Sequence, residues 1–192
     1  MSSKIRICTE EDIQVLVETI RKSFQDVAER LGLTEENARR HPSNCTADWI
    51  RNDMERGVTY FAIESKNHVV GCVALEQAKP DVCYSERLAV LPDQRRRGFG
   101  KALVNHVLSE ARRLGVNYVS IRIIANHTEL KDWYKELGFI EGESKEFPHL
   151  PFRVTFMSYG MKESHQQYAP LDGAGPCRLD ATSGQNAVAC KG

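Results

Sequence analysis

The sequence predicts a mixed α/β domain, with a central sheet of about seven strands flanked by four or five helices. Apolar side chains recur every three or four residues in some stretches, as in amphipathic helices, and alternate with polar ones in others, as in strands. The strand-like stretches outnumber the helical ones, and helices interrupt them at a few points. A length of 192 residues suits one compact domain.

The first part of the chain is predicted to contain one strand and two or three helices. Residues 13–31 have the period of a long amphipathic helix, which Gly32 ends. The pair Thr9-x-x-Asp12 is a helix-start signal directly before it. The expected elements are a strand at 4–8, the helix at 13–31, a short helix or turn at 34–40 and a helix between Thr46 and Gly57.

The remainder of the chain is predicted to be mostly strands. A hairpin turns at residues 65–67, and Gly71 in its second strand indicates a bulge or a close backbone approach. The expected elements are strands at 58–64, 68–77 and 82–91, a helix ending at Gly115, a strand at 117–124, a helix at 129–137, and strands at 139–143 and 152–159.

Residues 86–104 contain a strand, a basic turn and the start of a helix, and they are the most informative stretch of the sequence. The free N–H groups and partial positive charge of a helix N-terminus attract anions, and glycine lets a ligand approach the backbone. The turn therefore predicts a cradle for a diphosphate. It is neither a P-loop nor a dinucleotide fingerprint, because Ala102 and Leu103 stand where those motifs need Ser or Thr and glycine. The alternative is a basic turn that only caps a surface helix.

Two motifs resemble the GNAT superfamily of N-acetyltransferases. Arg95-x-x-Gly98-x-Gly100, after a Leu-Ala-Val-x-Pro strand, resembles its acetyl-CoA signature. The stretch from Trp133 to Phe139 resembles the Tyr-Glu-Lys-Leu-Gly-Phe segment that the family has after its fifth strand. The resemblance covers roughly residues 4–160. It implies the GNAT (acyl-CoA N-acyltransferase) fold, in which the fourth and fifth strands splay apart and acetyl-CoA enters the gap.

The resemblance also implies the residues that bind acetyl-CoA. An asparagine often stands seven residues before the family's tyrosine, where this chain has His127, and a one-residue shift at the strand end would return the role to Asn126. The backbone of residues 88–90 would pair with the pantetheine arm and polarise the thioester carbonyl. The implied set is Leu88, Ala89, Val90, Arg95, Arg96, Arg97, Gly98, Phe99, Gly100, Lys101, Asn126 and Tyr134.

Acetyl transfer needs an uncharged amine, and a lysine-type amine with a pKa near ~10.4 is almost fully protonated at neutral pH. Glu86 is the best candidate for a general base, with Tyr84 and His127 as weaker ones. Strand alternation would place Glu86 on the same face as Leu88 unless a bulge intervenes. The alternative for Glu86 is a surface carboxylate paired with Arg87 or a neighbouring strand.

The departing thiolate needs a proton, and the resemblance implies that the Tyr134 hydroxyl supplies it. The alternative is a tyrosine that packs its helix against the sheet. The acceptor is expected to be a primary amine, on a small molecule first of all. A protein or peptide N-acetyltransferase and a non-catalytic acyl-CoA-binding module are the alternatives.

Charge and cysteine usage limit the partners. Lys and Arg together number 26, as do Asp and Glu, and this balance argues against nucleic acid or a membrane surface as a partner. The six cysteines are scattered without a C-x-x-C pair, so we expect no metal site and a reducing, cytoplasmic setting. A homodimer stays possible. We expect the GNAT domain at residues 1–162 and a flexible, low-complexity tail at 163–192.

Overall fold

The computed structural model describes residues 3–161, so the expected tail lies outside the described residues. Within that range the chain forms seven strands and four α-helices, which confirms the mixed α/β prediction. The elements are β1 (Ser3–Ile7), α1 (Ile13–Leu31), α2 (Ala47–Glu55), β2 (Thr59–Ser65), β3 (His68–Lys79), β4 (Val82–Val90), α3 (Phe99–Arg113), β5 (Tyr118–Ile124), α4 (Thr128–Glu136), β6 (Ile140–Lys145) and β7 (Val154–Gly160).

All seven strands form one sheet in the order β1-β2-β3-β4-β5-β7-β6. Neighbouring strands are antiparallel except β4 and β5, which run parallel. The registered pairs between these two strands end at Tyr84 and Ser120, although the strands continue to Val90 and Ile124. The ends of β4 and β5 therefore run on beyond the last pair that joins them.

The helices cover both faces of the sheet. One core contains the apolar stripe of α1 together with Ile50 of α2, and the other contains the stripes of α3 and α4. The side chains of Leu88 and Val90 belong to the α3 core, whereas that of Ala89 belongs to the α1 core. Both faces of β4 are thus buried, as the apolar run in its sequence indicates.

A β-bulge interrupts the alternation of β4. Cys72 of β3 is opposite Ala89, and Ala74 is opposite Glu86, so β4 has one more residue than β3 in this interval. Arg87 takes a left-handed φ of 51° there. Glu86 shares the face of its partner Ala74, which is part of the α1 core. The bulge is the exception that the alternation argument allowed for, and it places Glu86 and Leu88 on opposite faces.

Local structure at Gly71 and before α1 follows the sequence signals. A Cβ atom on Gly71 would lie 2.6 Å from the carbonyl oxygen of Ala89, which confirms the close backbone approach. The Thr9 N–H donates to the Asp12 carboxylate over 2.9 Å, in a short 3₁₀ turn that leads into α1. Gly32 ends α1 with a φ of 61°. Residues 34–40 form turns and not a helix.

Candidate active site

The basic turn leads into α3 through a left-handed glycine. Gly98 is the N-cap with a φ of 85°, and no side chain of the described residues caps the helix there. The first helical hydrogen bond runs from the Ala102 N–H to the Gly98 carbonyl, which leaves the N–H groups of residues 99–101 without an acceptor inside the helix. A Cβ atom on Gly98 would meet nothing within 4 Å, so the backbone conformation itself requires glycine.

The arginines of the turn differ in what they contact. The Arg95 guanidinium ion-pairs with Asp26 of α1 and donates to the Ser23 carbonyl over 2.6 Å. This pairing holds the pKa of Asp26 below its usual value. Arg97 donates to the Gln94 side chain over 2.6 Å. Arg96 and Lys101 are exposed. The side chain of Arg95 therefore fastens the turn to α1, and the exposed Arg96 and Lys101 face solvent.

Glu86 of β4 is buried and forms an ion pair with a residue of the neighbouring strand β5. Only 8% of the residue is exposed, and Arg122 of β5 donates to its carboxylate. Burial raises the pKa of Glu86 to about 7, although the Arg122 charge opposes that rise. The pairing is with a neighbouring strand and not with Arg87, and Glu86 is not a surface group. A buried carboxyl with a pKa near neutrality has the acid–base strength that a general base needs.

Tyr134 lies in the core between α4 and the sheet. It is 1% exposed, and its ring packs edge-on against Trp133 at 4.8 Å and Phe139 at 5.1 Å between centroids. The Tyr134 ring thus packs α4 against the sheet, as the alternative interpretation expects. These ring contacts do not determine what its hydroxyl group does.

His127 caps α4. Its Nδ1 atom faces the Leu130 N–H at 3.4 Å, and its Nε2 atom lies 3.0 Å from Nη2 of Arg30 in α1. Burial is the first cause that lowers the pKa of His127, and the Arg30 charge is the second. A neutral imidazole has a single acceptor nitrogen, so it accepts from only one of these donors at a time. Asn126, beside it, is exposed.

A buried polar network under α2 was not predicted from the sequence. Arg87 is 1% exposed, and its Nη1 atom donates to both the Asp53 carboxylate and the Tyr60 hydroxyl. The Tyr60 hydroxyl in turn donates to Asp53 over 2.7 Å, and Arg56 pairs with the same carboxylate. Burial raises the pKa of Asp53 to about 6 and lowers that of Arg87 to about 10. The signal available in the sequence was Arg87, a charged residue inside an otherwise apolar strand.

Other reactive groups are few in the part of the chain that the structure describes. Cys8, Cys45, Cys72 and Cys83 are buried free thiols, and burial raises the pKa of each. No group of His, Cys, Asp and Glu side chains among residues 3–161 is arranged to hold a metal ion. No helix within the same range is both long and apolar enough to cross a membrane.

A mixed seven-stranded sheet with one parallel central pair and helices on both faces is the architecture of an acyl-CoA N-acyltransferase. Residues 18–139 match the sequence profile of the Acetyltransferase (GNAT) family. The chain therefore belongs to the GNAT acetyltransferase family, as its two motifs predicted.

Similar proteins agree on the family and differ in their substrates. The amino-acid acetyltransferase of Neisseria meningitidis serogroup A is 31% identical over 60% of this chain, which spans only 26% of that protein. The PaiA N-acetyltransferase of Thermoplasma acidophilum, solved with coenzyme A, superposes with a TM-score of 0.70 at 17% identity, covering 83% of this chain and 99% of that one. The ribosomal-protein-S18-alanine N-acetyltransferase of Escherichia coli superposes at 0.66 with 15% identity, covering 88% and 99%.

Proposed function

We propose that the chain transfers the acetyl group of acetyl-CoA to a primary amine, by direct attack in a ternary complex. The observation that carries this proposal is the N-terminus of α3. Gly98 opens it in a left-handed conformation, no described side chain caps it, and it follows the end of β4 that lacks registered partners in β5. N–H groups in this arrangement suit a diphosphate, and the exposed Arg96 and Lys101 add positive charge.

The end of β4 is proposed to hold the pantetheine arm. The side chains of Leu88, Ala89 and Val90 are buried in the two cores, so their backbone is what this stretch can offer to a ligand. Acetyl-CoA, when bound, supplies the activated thioester. A backbone N–H of residues 88–90 would donate to the thioester carbonyl, where negative charge develops during attack.

Proton transfer is proposed to involve Glu86 and Tyr134. Glu86 would accept the proton of the attacking ammonium group, directly or through water, because its pKa of about 7 leaves much of it ionised at neutral pH. Tyr134 would donate its hydroxyl proton to the departing thiolate. Asn126 is proposed to contact the cofactor in preference to His127, since the His127 ring already contacts Leu130 and Arg30.

A small-molecule amine is the favoured acceptor, and a protein or peptide N-terminus is the second candidate. The relatives support both readings, because one is named for amino acids and another for the alanine of a ribosomal protein. Trp49 of α2 lines a cavity of about 330 Å³. A cavity of this volume suits a small ligand.

The first experiment measures thermal unfolding with acetyl-CoA, CoA or NAD. A ligand at 100 times its Kd adds about 2.7 kcal/mol to the free energy of unfolding. We expect acetyl-CoA and CoA to raise the melting temperature and NAD to leave it unchanged. If millimolar acetyl-CoA leaves it unchanged, the proposed cofactor site is wrong.

The second experiment measures CoA release with a panel of amines. Glu86→Gln and Tyr134→Phe should each lower kcat by about 100-fold or more, the usual contribution of a general acid or base. Tyr159→Phe is the matched control, because this tyrosine also packs against Phe139 but lies half-buried at the other end of the cluster. Unchanged kcat in the first two variants would contradict the assigned roles.

A further inference from the structure

The side chain of Arg95 contacts both α1 and the end of β4. Its Nη1 and Nη2 atoms donate to the two carboxylate oxygens of Asp26 over 2.5 and 3.1 Å, and Nη2 also donates to the Ser23 carbonyl over 2.6 Å. Its Nε atom donates to the Val90 carbonyl over 3.3 Å. All three nitrogen atoms of the guanidinium thus donate to acceptors of the protein itself, so the group is poorly placed to contact a bound phosphate.

The turn that follows Arg95 has an unfavourable backbone conformation. Arg96 has a left-handed φ of 61°, and Gly98 has one of 85° two residues later. A left-handed conformation is costly for a residue with a Cβ atom, and it persists where surrounding contacts determine the backbone. Arg95 lies directly before this segment. Its contacts with α1 and β4 therefore fix one end of the turn that directs the N–H groups of residues 99–101.

The charge of Asp26 argues against a purely electrostatic role for it. A carboxylate close to an anion site repels the anion, so Asp26 by its charge alone disfavours a diphosphate at this turn. Its side chain is 52% exposed, and that of Arg95 is 20% exposed. An ion pair with one half-exposed partner contributes little to the stability of the fold. The pair is therefore better suited to orienting the turn than to attracting the ligand or stabilising the domain.

We propose that Asp26 is a positioning residue for acetyl-CoA, and that it acts on the diphosphate through Arg95. The inference rests on the proposed cofactor site and adds a residue of α1 to it. Arg95 orients the turn and does not contact a phosphate oxygen. Asp26 holds the Nη atoms of Arg95, while Val90 accepts from its Nε atom, so the turn keeps its place relative to the strand that is proposed to hold the pantetheine arm.

The test compares acetyl-CoA with acetyl-pantetheine, which has the same thioester and lacks the diphosphate. Thiol release with one amine gives kcat/KM for both donors in the wild type, Asp26→Ala and Arg95→Lys. The wild type should prefer acetyl-CoA, and each variant should lower that preference by about 5- to 10-fold, the effect of one charge-assisted hydrogen bond at a half-exposed site. The loss should lie in KM for acetyl-CoA and not in kcat. Glu18→Gln is the matched control, because this carboxylate of α1 is 54% exposed and pairs with Lys22.

The direction of the change separates positioning from direct contact. If Arg95 bound the diphosphate itself, lysine would keep the charge in Arg95→Lys, and removing the carboxylate in Asp26→Ala would strengthen acetyl-CoA binding. Positioning predicts weaker binding in both variants, because a lysine lacks the planar fork that donates to Asp26 and Val90 together. The double variant should bind acetyl-CoA no more weakly than Arg95→Lys alone, since Asp26 acts through Arg95.

Thermal unfolding with CoA gives a readout without turnover. The CoA-induced rise in melting temperature should shrink in Asp26→Ala and persist in Glu18→Gln. An unchanged or stronger preference for acetyl-CoA in Asp26→Ala, an equal fall with both donors, or losses that add in the double variant would each overturn the inference. A wild type that CoA does not stabilise, and that does not distinguish acetyl-CoA from acetyl-pantetheine, would instead contradict the proposed cofactor site itself.

Discussion

Arg122→Gln is the variant that tests most directly whether Glu86 is the general base. Arg122 of β5 forms an ion pair with Glu86 of β4, and only 13% of its side chain and 9% of that of Glu86 are exposed. Its charge favours the ionised form of the carboxyl, while burial favours the neutral form and prevails. Removing the cation leaves burial unopposed. The pKa of Glu86 must therefore rise.

The size of the effect follows from the charges involved. An opposite charge at hydrogen-bond distance lowers a carboxyl pKa by about 1 to 3 units. The pKa of Glu86 is about 7 with Arg122 present, so in Arg122→Gln it should lie about 1 to 3 units higher. Because the base must be ionised and is about half ionised at pH 7 in the wild type, kcat/KM at pH 7 should fall about 5-fold for a rise of one unit, about 50-fold for two and about 500-fold for three.

The assay follows CoA release against pH, from 5.5 to about 10, for one amine and several variants. The ionisation of the amine itself contributes the same limb in every variant, so only differences between variants are interpreted. Arg122→Lys keeps the charge and should keep the wild-type limb, and Arg113→Gln removes an exposed arginine and should do the same. An unchanged limb in Arg122→Gln, or a limb near pH 7 that persists in Glu86→Gln, would refute the assignment of Glu86 as the base.

Two further variants test the turn and a buried histidine. Gly98→Ala and Gly115→Ala stand at the two ends of α3 with φ of 85° and 73° and open space around a new Cβ. Each variant should lose about 1–2 kcal/mol of unfolding free energy. Only Gly98→Ala should weaken acetyl-CoA binding in a titration. Equal losses of binding in both variants would contradict the proposed diphosphate site at the N-terminus of α3. Burial lowers the pKa of His41 to about 4, below its usual 6.5. As the pH falls, His41 therefore becomes protonated in the unfolded chain before it does so in the folded chain. The free energy of unfolding falls between pH 6.5 and 4 as a result. At pH 5 the loss is about 2 kcal/mol. Urea unfolding at pH 7 and pH 5 measures this loss, and His41→Gln should abolish it. If the difference in unfolding free energy between the two pH values stays the same in the variant, other groups are responsible for it.

The elements that could be predicted from sequence are those with a local cause. The apolar period of α1, its glycine stop and the hairpin at residues 65–67 depend on neighbours in the chain, and the structure contains all three. The turn at Gly98 was equally readable, because left-handed backbone conformations favour glycine strongly. By contrast, the pairing of the Arg95 side chain with Asp26 of α1 was not predicted. No local signal reports a contact between residues so far apart in sequence.

The bulge in β4 shows why the rest of the site was out of reach. A bulge depends on the register between two strands, and neither strand's sequence states how many residues oppose one another. Without it Glu86 and Leu88 would share a face, and Arg87 would point away from Glu86. With it, Glu86 and Arg87 lie on the same face of the sheet, where Arg122 pairs with the Glu86 carboxylate and Asp53 and Tyr60 contact the Arg87 guanidinium. One extra residue in β4 thus determines which face of the sheet the proposed base occupies.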